Sequence, residues 1–509
     1  MILAEMLDSL TRMDGMLSDD LLASARSIEI KGIYYRAQEV RPGGLFVAIK
    51  GLTADGHDYI ETAFANGAAA VVAQRPIDAN GCVVTVPDTR RAMGELAARF
   101  YGDPSDRLVM IGVTGTNGKT TTSYLIESLL LSSGIRVGVV GTINYRYAGR
   151  TYPNPVTTPE SVDLQRIMAD MVAGGVTHLV MEASSHGIAQ ERIRGCRYDV
   201  ALFTNLSQDH LDYHLTMGAY WECKRRLFTD FMKPAGGVAV VNCDDLKGKA
   251  LAGELTTETL TVGSGTDCRI RPMNAWYDLS GIDAEIATPE GPLNLHSPLV
   301  GAFNLENVLL AVGTGIALKL SPHQIQTGIE HLAAVPGRLE PVPNERLRHV
   351  FVDFAHTPDA LAHTLKALRS VSENRIISVF GCGGDRDRGK RPLMGEIGVQ
   401  GSDFAIITSD NPRSEDPEEI IRQVIKGAKG THRRFYGADE VSGGFDEPGY
   451  TVVTDRKSAI GLAVSVSKKE DIILIAGKGH ETYQILADRT IEFNDVQVTA
   501  QALCTPSAA

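Results

Sequence analysis

The chain has no C-x-x-C pair. Its seven cysteines, Cys82, Cys196, Cys223, Cys243, Cys268, Cys382 and Cys504, are odd in number and scattered. That argues against a thiolate zinc site or a disulfide framework and for a reducing, cytoplasmic compartment. No apolar run approaches 18 residues, so no transmembrane helix is expected. Met1 to Asp20 lacks a basic segment followed by an apolar core and carries early acids, so it does not read as a signal peptide. An excess of positive charge is missing too. Asp and Glu number 62 against 50 Lys and Arg, a net charge of −12, which argues against a general nucleic-acid or membrane-surface binder. Short repeats and low-complexity tracts are absent. What remains is an ordinary globular composition, 43% hydrophobic and 22% charged over 509 residues, enough for about three domains.

The most informative segment present is Thr114-Gly115-Thr116-Asn117-Gly118-Lys119-Thr120-Thr121. It follows an apolar strand expected over Leu108–Val113 and opens a helix expected over Thr120–Leu131. A glycine turn between strand and helix aims backbone N–H groups and a helix N-terminus at one point, which suits a phosphate. Lys119 can reach the outer phosphates and the Thr120 hydroxyl can bind Mg²⁺. In the common G-x-x-x-x-G-K-[ST] pattern the first glycine falls on Val113; here the preceding glycine is Gly115.

Around this loop the chain alternates strand and helix. A helix is expected over Thr89–Tyr101, and the polar turn Gly102-Asp103-Pro104-Ser105 marks a boundary. Apolar runs at Arg136–Val140, His178–Met181, Val200–Phe203 and Val238–Val241 suit buried parallel strands. Residues 252 to 300 read as smaller strands decorating the same domain, and Ala333–Arg338 as a hinge. The last third repeats the alternation, with strands at His349–Phe354, Ile376–Phe380, Phe404–Thr408 and Ile472–Ile475. The fold class is α/β: three domains, with a central mostly parallel P-loop-type sheet and a C-terminal Rossmann-like domain. The divisions are 1–106, 107–335 and 336–509.

Several loops follow these strands, where open α/β sheets collect ligands. Glu182, in Met181–Gly187, is a candidate Mg²⁺ ligand. His210, in Thr204–His214, suits a Mg²⁺ and phosphate site better than zinc, because H-x-x-x-H has no thiolate partners here. Gly381–Pro392 is a basic glycine-rich loop in an acidic protein and suits anion recognition. Asp410, Asn411, Pro412 and Arg413 place an acid, an amide and a guanidinium together, which complements an amino-acid zwitterion. Ala476–Glu481 adds a second glycine turn with an acid.

Together these segments resemble the Mur ligase family over nearly the whole chain, from Pro42-Gly43-Gly44-Leu45-Phe46-Val47-Ala48 to Ala476-Gly477-Lys478-Gly479-His480. The short T-G-T-N-G-K-T-T loop is similar to that of Mur ligases and folylpolyglutamate synthetases. The resemblance implies a UDP-substrate-binding domain, an ATP-binding domain and an amino-acid-binding domain. It implies that Gly115, Thr116, Asn117, Gly118, Lys119, Thr120 and Thr121 hold ATP, with Asn304, Arg338 and Asp353 as further nucleotide contacts. It implies two Mg²⁺ ions, Thr120 serving the one held with ATP and Glu182 and His210 the second, with Lys224, carried as N-carboxylysine, supporting Mg²⁺ binding. Lys119, Glu182, His210 and Lys224 are the implied catalytic residues. Thr157, Thr158, Ser184, Gln190 and Arg192 resemble contacts to UDP-N-acetylmuramoyl-L-alanyl-D-glutamate.

Asp410-Asn411-Pro412-Arg413 matches the signature of the family members that add meso-diaminopimelate; lysine-adding relatives lack the arginine. Arg386, Gly477 and Glu481 resemble further contacts to that amino acid. The implied reaction is an ATP-dependent amide ligation through an acyl phosphate in peptidoglycan precursor synthesis, in the cytoplasm, by a monomer with no nucleic-acid partner. One departure stands out. Where the family has Asp-Ser-Arg ahead of the Pro-Gly, this chain has Arg36-Ala37-Gln38, and Tyr35 is the candidate to compensate by stacking. A P-loop switch or motor would need the common loop spacing, which Val113 denies, and a non-catalytic nucleotide module would not need Lys119, Thr120, Glu182 and His210 together.

Overall fold

The computed structural model describes residues 1–14, 23–51, 54–345, 348–441 and 444–504. Residues 15–20 of the Met1–Asp20 stretch lie outside the described residues. Two compact units emerge. One comprises Met1–Arg271 with Leu309–Gly328, the other Pro272–Val308 with Ile329–Ala509.

The first unit contains two sheets. Its N-terminal sheet is parallel, in the order Gly32–Tyr34, Gly44–Val47, Ala68–Ala73, Cys82–Thr85. The helix Leu3–Asp14 buries Leu3, Met6 and Leu7 in the same core. The helix Thr89–Phe100 closes that core; Asp88 caps it by accepting from the Arg90 and Arg91 amides, a cap worth about 1 kcal/mol.

The larger sheet has eight strands in the order Glu258–Val262, Val238–Asn242, Val200–Phe203, Val109–Thr114, His178–Glu182, Val137–Val140, Asn144–Tyr147 and Arg150–Pro153. The first six are parallel and the last two antiparallel. Parallel strands are covered on both faces and so read as unbroken apolar runs, which is why they were legible. Val109–Thr114 lies between Val200–Phe203 and His178–Glu182. The chain leaves it to one side and returns to the other, so its carboxyl end opens a crevice at the point where the strand order reverses.

In the second unit a seven-stranded sheet runs Glu340–Pro341, His349–Asp353, Ile472–Ala476, Ile376–Phe380, Phe404–Ile407, Gly449–Val452, Arg434–Phe435. All neighbours are parallel except the first pair. The stretch 252 to 300, expected as smaller strands, contributes to two sheets. Glu258–Val262 joins the large sheet as its edge strand. Arg271–Asp278, Gly281–Thr288 and Gly291–Ser297 form a separate three-stranded sheet that belongs almost entirely to the second unit. Its middle strand alternates buried and accessible residues, the mark of a sheet covered on one face.

Candidate active site

The phosphate loop is built by close backbone approach. Gly115 has φ +148°, and a Cβ there would fall 1.8 Å from Thr204 Oγ1. Gly118, at φ +83°, turns the chain into the helix Lys119–Ser132. The loop is clasped by the segment after Val200–Phe203. Thr204 Oγ1 donates to Asn117 O at 2.6 Å, the Asn117 amide donates to Asn205 Oδ1 at 2.9 Å, and the Ser207 amide donates to Thr116 Oγ1 at 3.1 Å. Lys119 Nζ folds back onto Gly115 O and Thr116 O, at 3.0 and 2.9 Å.

Glu182 ends its strand beside this loop and is buried. Thr120 Oγ1 donates to Glu182 Oε2 at 3.1 Å, Thr142 Oγ1 donates to the same oxygen at 2.7 Å, and the Thr142 amide donates to Oε1 at 3.1 Å. No basic side chain among the described residues forms an ion pair with this carboxylate. A buried carboxylate held only by neutral donors retains its attraction for a cation. Mg²⁺ takes one or two carboxylates and completes its shell with phosphate oxygens and water. Thr120 and Glu182 fit that sparse set. Three-ligand His, Cys, Asp or Glu cages are absent among the described residues.

The five residues expected to contact the muramoyl dipeptide gather around Glu182. Thr157 Oγ1 lies 3.1 Å from Thr142 Oγ1. Thr158 Oγ1 donates to Glu182 O at 2.8 Å and lies 3.0 Å from Ser184 Oγ. Arg192 donates to Thr158 O at 3.0 Å and to Gln190 Oε1 at 2.8 Å, and pairs with Glu160 at 3.0 Å. Tyr35, the residue expected to stack, donates from its hydroxyl to Asp163 Oδ2 at 2.7 Å, and the Arg36 guanidinium lies 5.3 Å from its ring centroid.

Lys224 sits on the helix Met217–Thr229, buried, with Nζ 2.6 Å from Gly115 O and 4.4 Å from the Tyr220 ring centroid. Burial, and then the neighbouring Lys119, push its pKa well below the ordinary lysine value. His210 stands nearby in a left-handed conformation, φ +54°, with its ring against His186 and Tyr220. Burial lowers its pKa, and Lys119 and Lys224 lower it further against the opposing pull of Asp209.

Arg338 and Asp353, expected as nucleotide contacts, both belong to the second unit. Asp353 accepts from the Leu339 and Ala355 amides at 2.7 and 2.9 Å, while Arg338 lies over the Phe354 ring. Burial raises the Asp353 pKa and Arg338 opposes it. Gly337, φ +66°, permits this turn: a Cβ there would lie 2.3 Å from the His480 amide nitrogen. Asn304 belongs to the same unit but bonds within its own helix region, to Val300 O and Asn307.

The amino-acid loops also converge. Asn411 Nδ2 donates to Glu481 Oε2 at 2.8 Å. Arg413, held at φ +52°, donates to Gly384 O at 2.8 Å, and Gly383 lies against both Arg413 and Arg386. Pro412 O closes on Gly384, and Gly477 borders Asp410. Sequence reasoning missed Thr142, which binds Glu182 twice, and Lys478, which is fully buried beside Asn411 and Glu481. The lysine between two glycines at a strand end was the available signal for the second.

Comparison with known proteins shows the family. The family model of the Mur ligase family, catalytic domain, matches residues 29–101, that of the Mur ligase middle domain 113–315, and that of the Mur ligase glutamate ligase domain 337–479. The UDP-N-acetylmuramoyl-L-alanyl-D-glutamate–2,6-diaminopimelate ligase of Geobacter metallireducens is 47% identical, covering 94% of both chains. The enzyme of the same name from Geobacillus thermodenitrificans is 42% identical over 93% of this chain and 95% of its own. A solved structure of a ligase with that name superposes with a TM-score of 0.71 at 33% identity, covering 97% of this chain and 98% of its own. The Mycobacterium tuberculosis folylpolyglutamate synthase shares the fold, with a TM-score of 0.60 at 18% identity over 82% of this chain and 96% of its own. The chain belongs to the Mur ligase family.

Proposed function

We propose that this protein joins meso-2,6-diaminopimelate to the γ-carboxylate of the D-glutamate in UDP-N-acetylmuramoyl-L-alanyl-D-glutamate, using ATP, in peptidoglycan precursor synthesis. The division into a UDP-substrate domain (1–106), an ATP domain (107–335) and an amino-acid domain (336–509) is part of this reading. So are a monomeric state and a cytoplasmic location. No described helix is long and apolar enough to cross a membrane. The observation that carries the amino-acid assignment is the convergence of Asp410, Asn411, Arg413 and Glu481, two acids, an amide and a guanidinium, beyond the ends of Phe404–Ile407 and Ile472–Ala476, two strands separated in the sheet by Ile376–Phe380 alone.

In the proposed reaction the γ-carboxylate takes the terminal phosphoryl group of ATP, giving an acyl phosphate. The amine of diaminopimelate then attacks the acyl carbon and phosphate leaves. The protein supplies position and charge more than covalent chemistry. Gly115 to Gly118 direct amides at the phosphates, and Lys119 swings from its own loop to the transferred group. Thr120 and Glu182 would hold one Mg²⁺, with His210 and a carboxylated Lys224 serving a second; such ions offset charge on the phosphate oxygens. The lowered pKa of Lys224 favours the free amine, the form that adds CO₂. Arg413 pairs with the carboxylate that diaminopimelate has and lysine lacks.

The test is phosphate release from ATP with the UDP-dipeptide, comparing meso-diaminopimelate with L-lysine. Release with diaminopimelate alone, lost in Arg413→Ala, supports the reading. Release with lysine overturns the role of Arg413, and turnover indifferent to both amino acids overturns the ligase.

A further inference from the structure

Lys478 has the least conventional environment in the second unit. It follows the strand Ile472–Ala476, between Gly477 and Gly479, and its side chain is 0% exposed. An ammonium stripped of water costs several kcal/mol unless it is paired and hydrogen-bonded. Lys478 Nζ finds Asn411 Oδ1 at 3.1 Å, Glu481 Oε2 at 3.1 Å and Asp410 Oδ1 at 3.7 Å. All three partners belong to the proposed amino-acid pocket.

This contact fixes an orientation. Asn411 Oδ1 accepts from Lys478 and also from the Ile485 amide at 3.0 Å. The amide has only one oxygen, so its NH₂ must face the other way. It does, donating to Glu481 Oε2 at 2.8 Å. Both bonds to Glu481 use Oε2, which sets the direction of the remaining carboxylate oxygen. Asp410 Oδ1 is buried without a hydrogen-bond partner, an acceptor that the protein itself leaves unsatisfied.

The charges then balance. Beneath the loop, Arg456 and Asp495 are both fully buried and neutralise each other, with bonds of 2.8 and 2.7 Å. That leaves the carboxylates of Asp410 and Glu481 against the cations Lys478 and Arg413. These groups surround Tyr483: its ring centroid lies 5.7 Å from Lys478 Nζ, and its hydroxyl is within electrostatic reach of Glu481, Arg413 and Asp410. Around Tyr483 these two anions and two cations sum to zero, with the solvent-exposed Arg386 outside the set. A neutral pocket with separated charges suits a neutral end that carries both an ammonium and a carboxylate. The end of lysine carries an ammonium alone and would bring an uncompensated positive charge.

We infer that Lys478 is a specificity-determining positioning residue, which holds Asn411 and Glu481 in place and cancels one of the two pocket carboxylates, so that a zwitterionic amino-acid end is accepted over a bare ammonium. The inference rests on the amino-acid pocket proposed above. Removing the Lys478 charge leaves the pocket one unit negative, the charge that an ammonium end complements.

The experiment uses the full chain with Lys478→Met and Lys478→Gln, each checked for native circular dichroism and cooperative melting. KM and kcat for meso-diaminopimelate and for L-lysine are measured by phosphate release, alongside KM for ATP. For Lys478→Met the expected result is a KM for diaminopimelate raised tenfold or more. KM for ATP stays within twofold, and the diaminopimelate-over-lysine ratio of kcat/KM falls at least tenfold. Lys478→Gln, which keeps a donor but no charge, recovers part of the KM and none of the ratio. If either folded variant keeps that ratio within threefold of the parent, the inference is overturned. Failure of the unaltered protein to use diaminopimelate overturns the proposed function instead, so the two failures are distinguishable.

Discussion

Lys119 and Lys224 donate to the same carbonyl oxygen. The Nζ atoms of both reach Gly115 O, at 3.0 and 2.6 Å. Two ammonium groups converging on one acceptor repel each other, and the buried one carries the larger desolvation cost. The relation therefore ties the phosphate loop to the charge state of Lys224, and either a phosphate drawing Lys119 away or a carboxylated Lys224 relieves it.

Carboxylation of Lys224 has a direct readout. Protein equilibrated with ¹³C-bicarbonate should show a carbamate carbonyl signal that Lys224→Arg lacks. The same variant should lose about 10²–10³ in kcat, the scale of removing one preorganised electrostatic group. Full activity in Lys224→Arg would dismiss the carbamate.

Gly115→Ala should damage the nucleotide site through backbone geometry alone. Its φ of +148° and the 1.8 Å approach to Thr204 Oγ1 leave no room for a methyl group. Strain of this kind costs about 1–3 kcal/mol, and a comparable cost in ATP binding weakens affinity about tenfold or more. Titration calorimetry with ATP decides it; an unchanged Kd would refute the assigned geometry.

The buried Arg456–Asp495 pair should be intolerant of single changes. Asp495→Ala leaves a guanidinium buried without its counter-ion, a loss of about 3–5 kcal/mol. Replacing both partners, Arg456→Met with Asp495→Leu, should recover much of that. Urea denaturation of the three variants measures the coupling, and additive losses would count against it.

His480 should make stability depend on pH. Burial, followed by Arg338, depresses its pKa from 6.5 to about 4. Between those values the unfolded chain takes up a proton that the native ring does not. Stability from this group is therefore full above about pH 6.5, falls as pH drops toward 4, and changes no further below that. His480→Gln should flatten the slope of unfolding free energy in this window by up to about 1.4 kcal/mol per pH unit. Parallel profiles for parent and variant would contradict the burial of the ring.

Much of this site was legible because its signals are local. The strand, the glycines, Lys119 and Thr120 fall within a dozen residues, and a buried parallel strand announces itself as an apolar run. Thr142 was not legible. It reaches Glu182 because Val137–Val140 lies beside His178–Glu182, a neighbour relation that no local pattern encodes. Lys478 stayed hidden for a related reason, since its partner Asn411 is 67 positions away in the chain and joins it only through the sheet. The strands between 258 and 297 were legible as strands, but alternation reveals a half-buried strand and not which core it covers.

Gly337 carries a further meaning for inhibition. Its Cα approaches the Gly479–His480 backbone so closely that a Cβ would meet main-chain atoms at 2.3 to 2.7 Å. Drug resistance commonly enlarges a side chain until the compound no longer fits. At Gly337 that route is closed by the protein's own main chain, so a molecule that rests on this turn would touch a surface with few viable escape mutations.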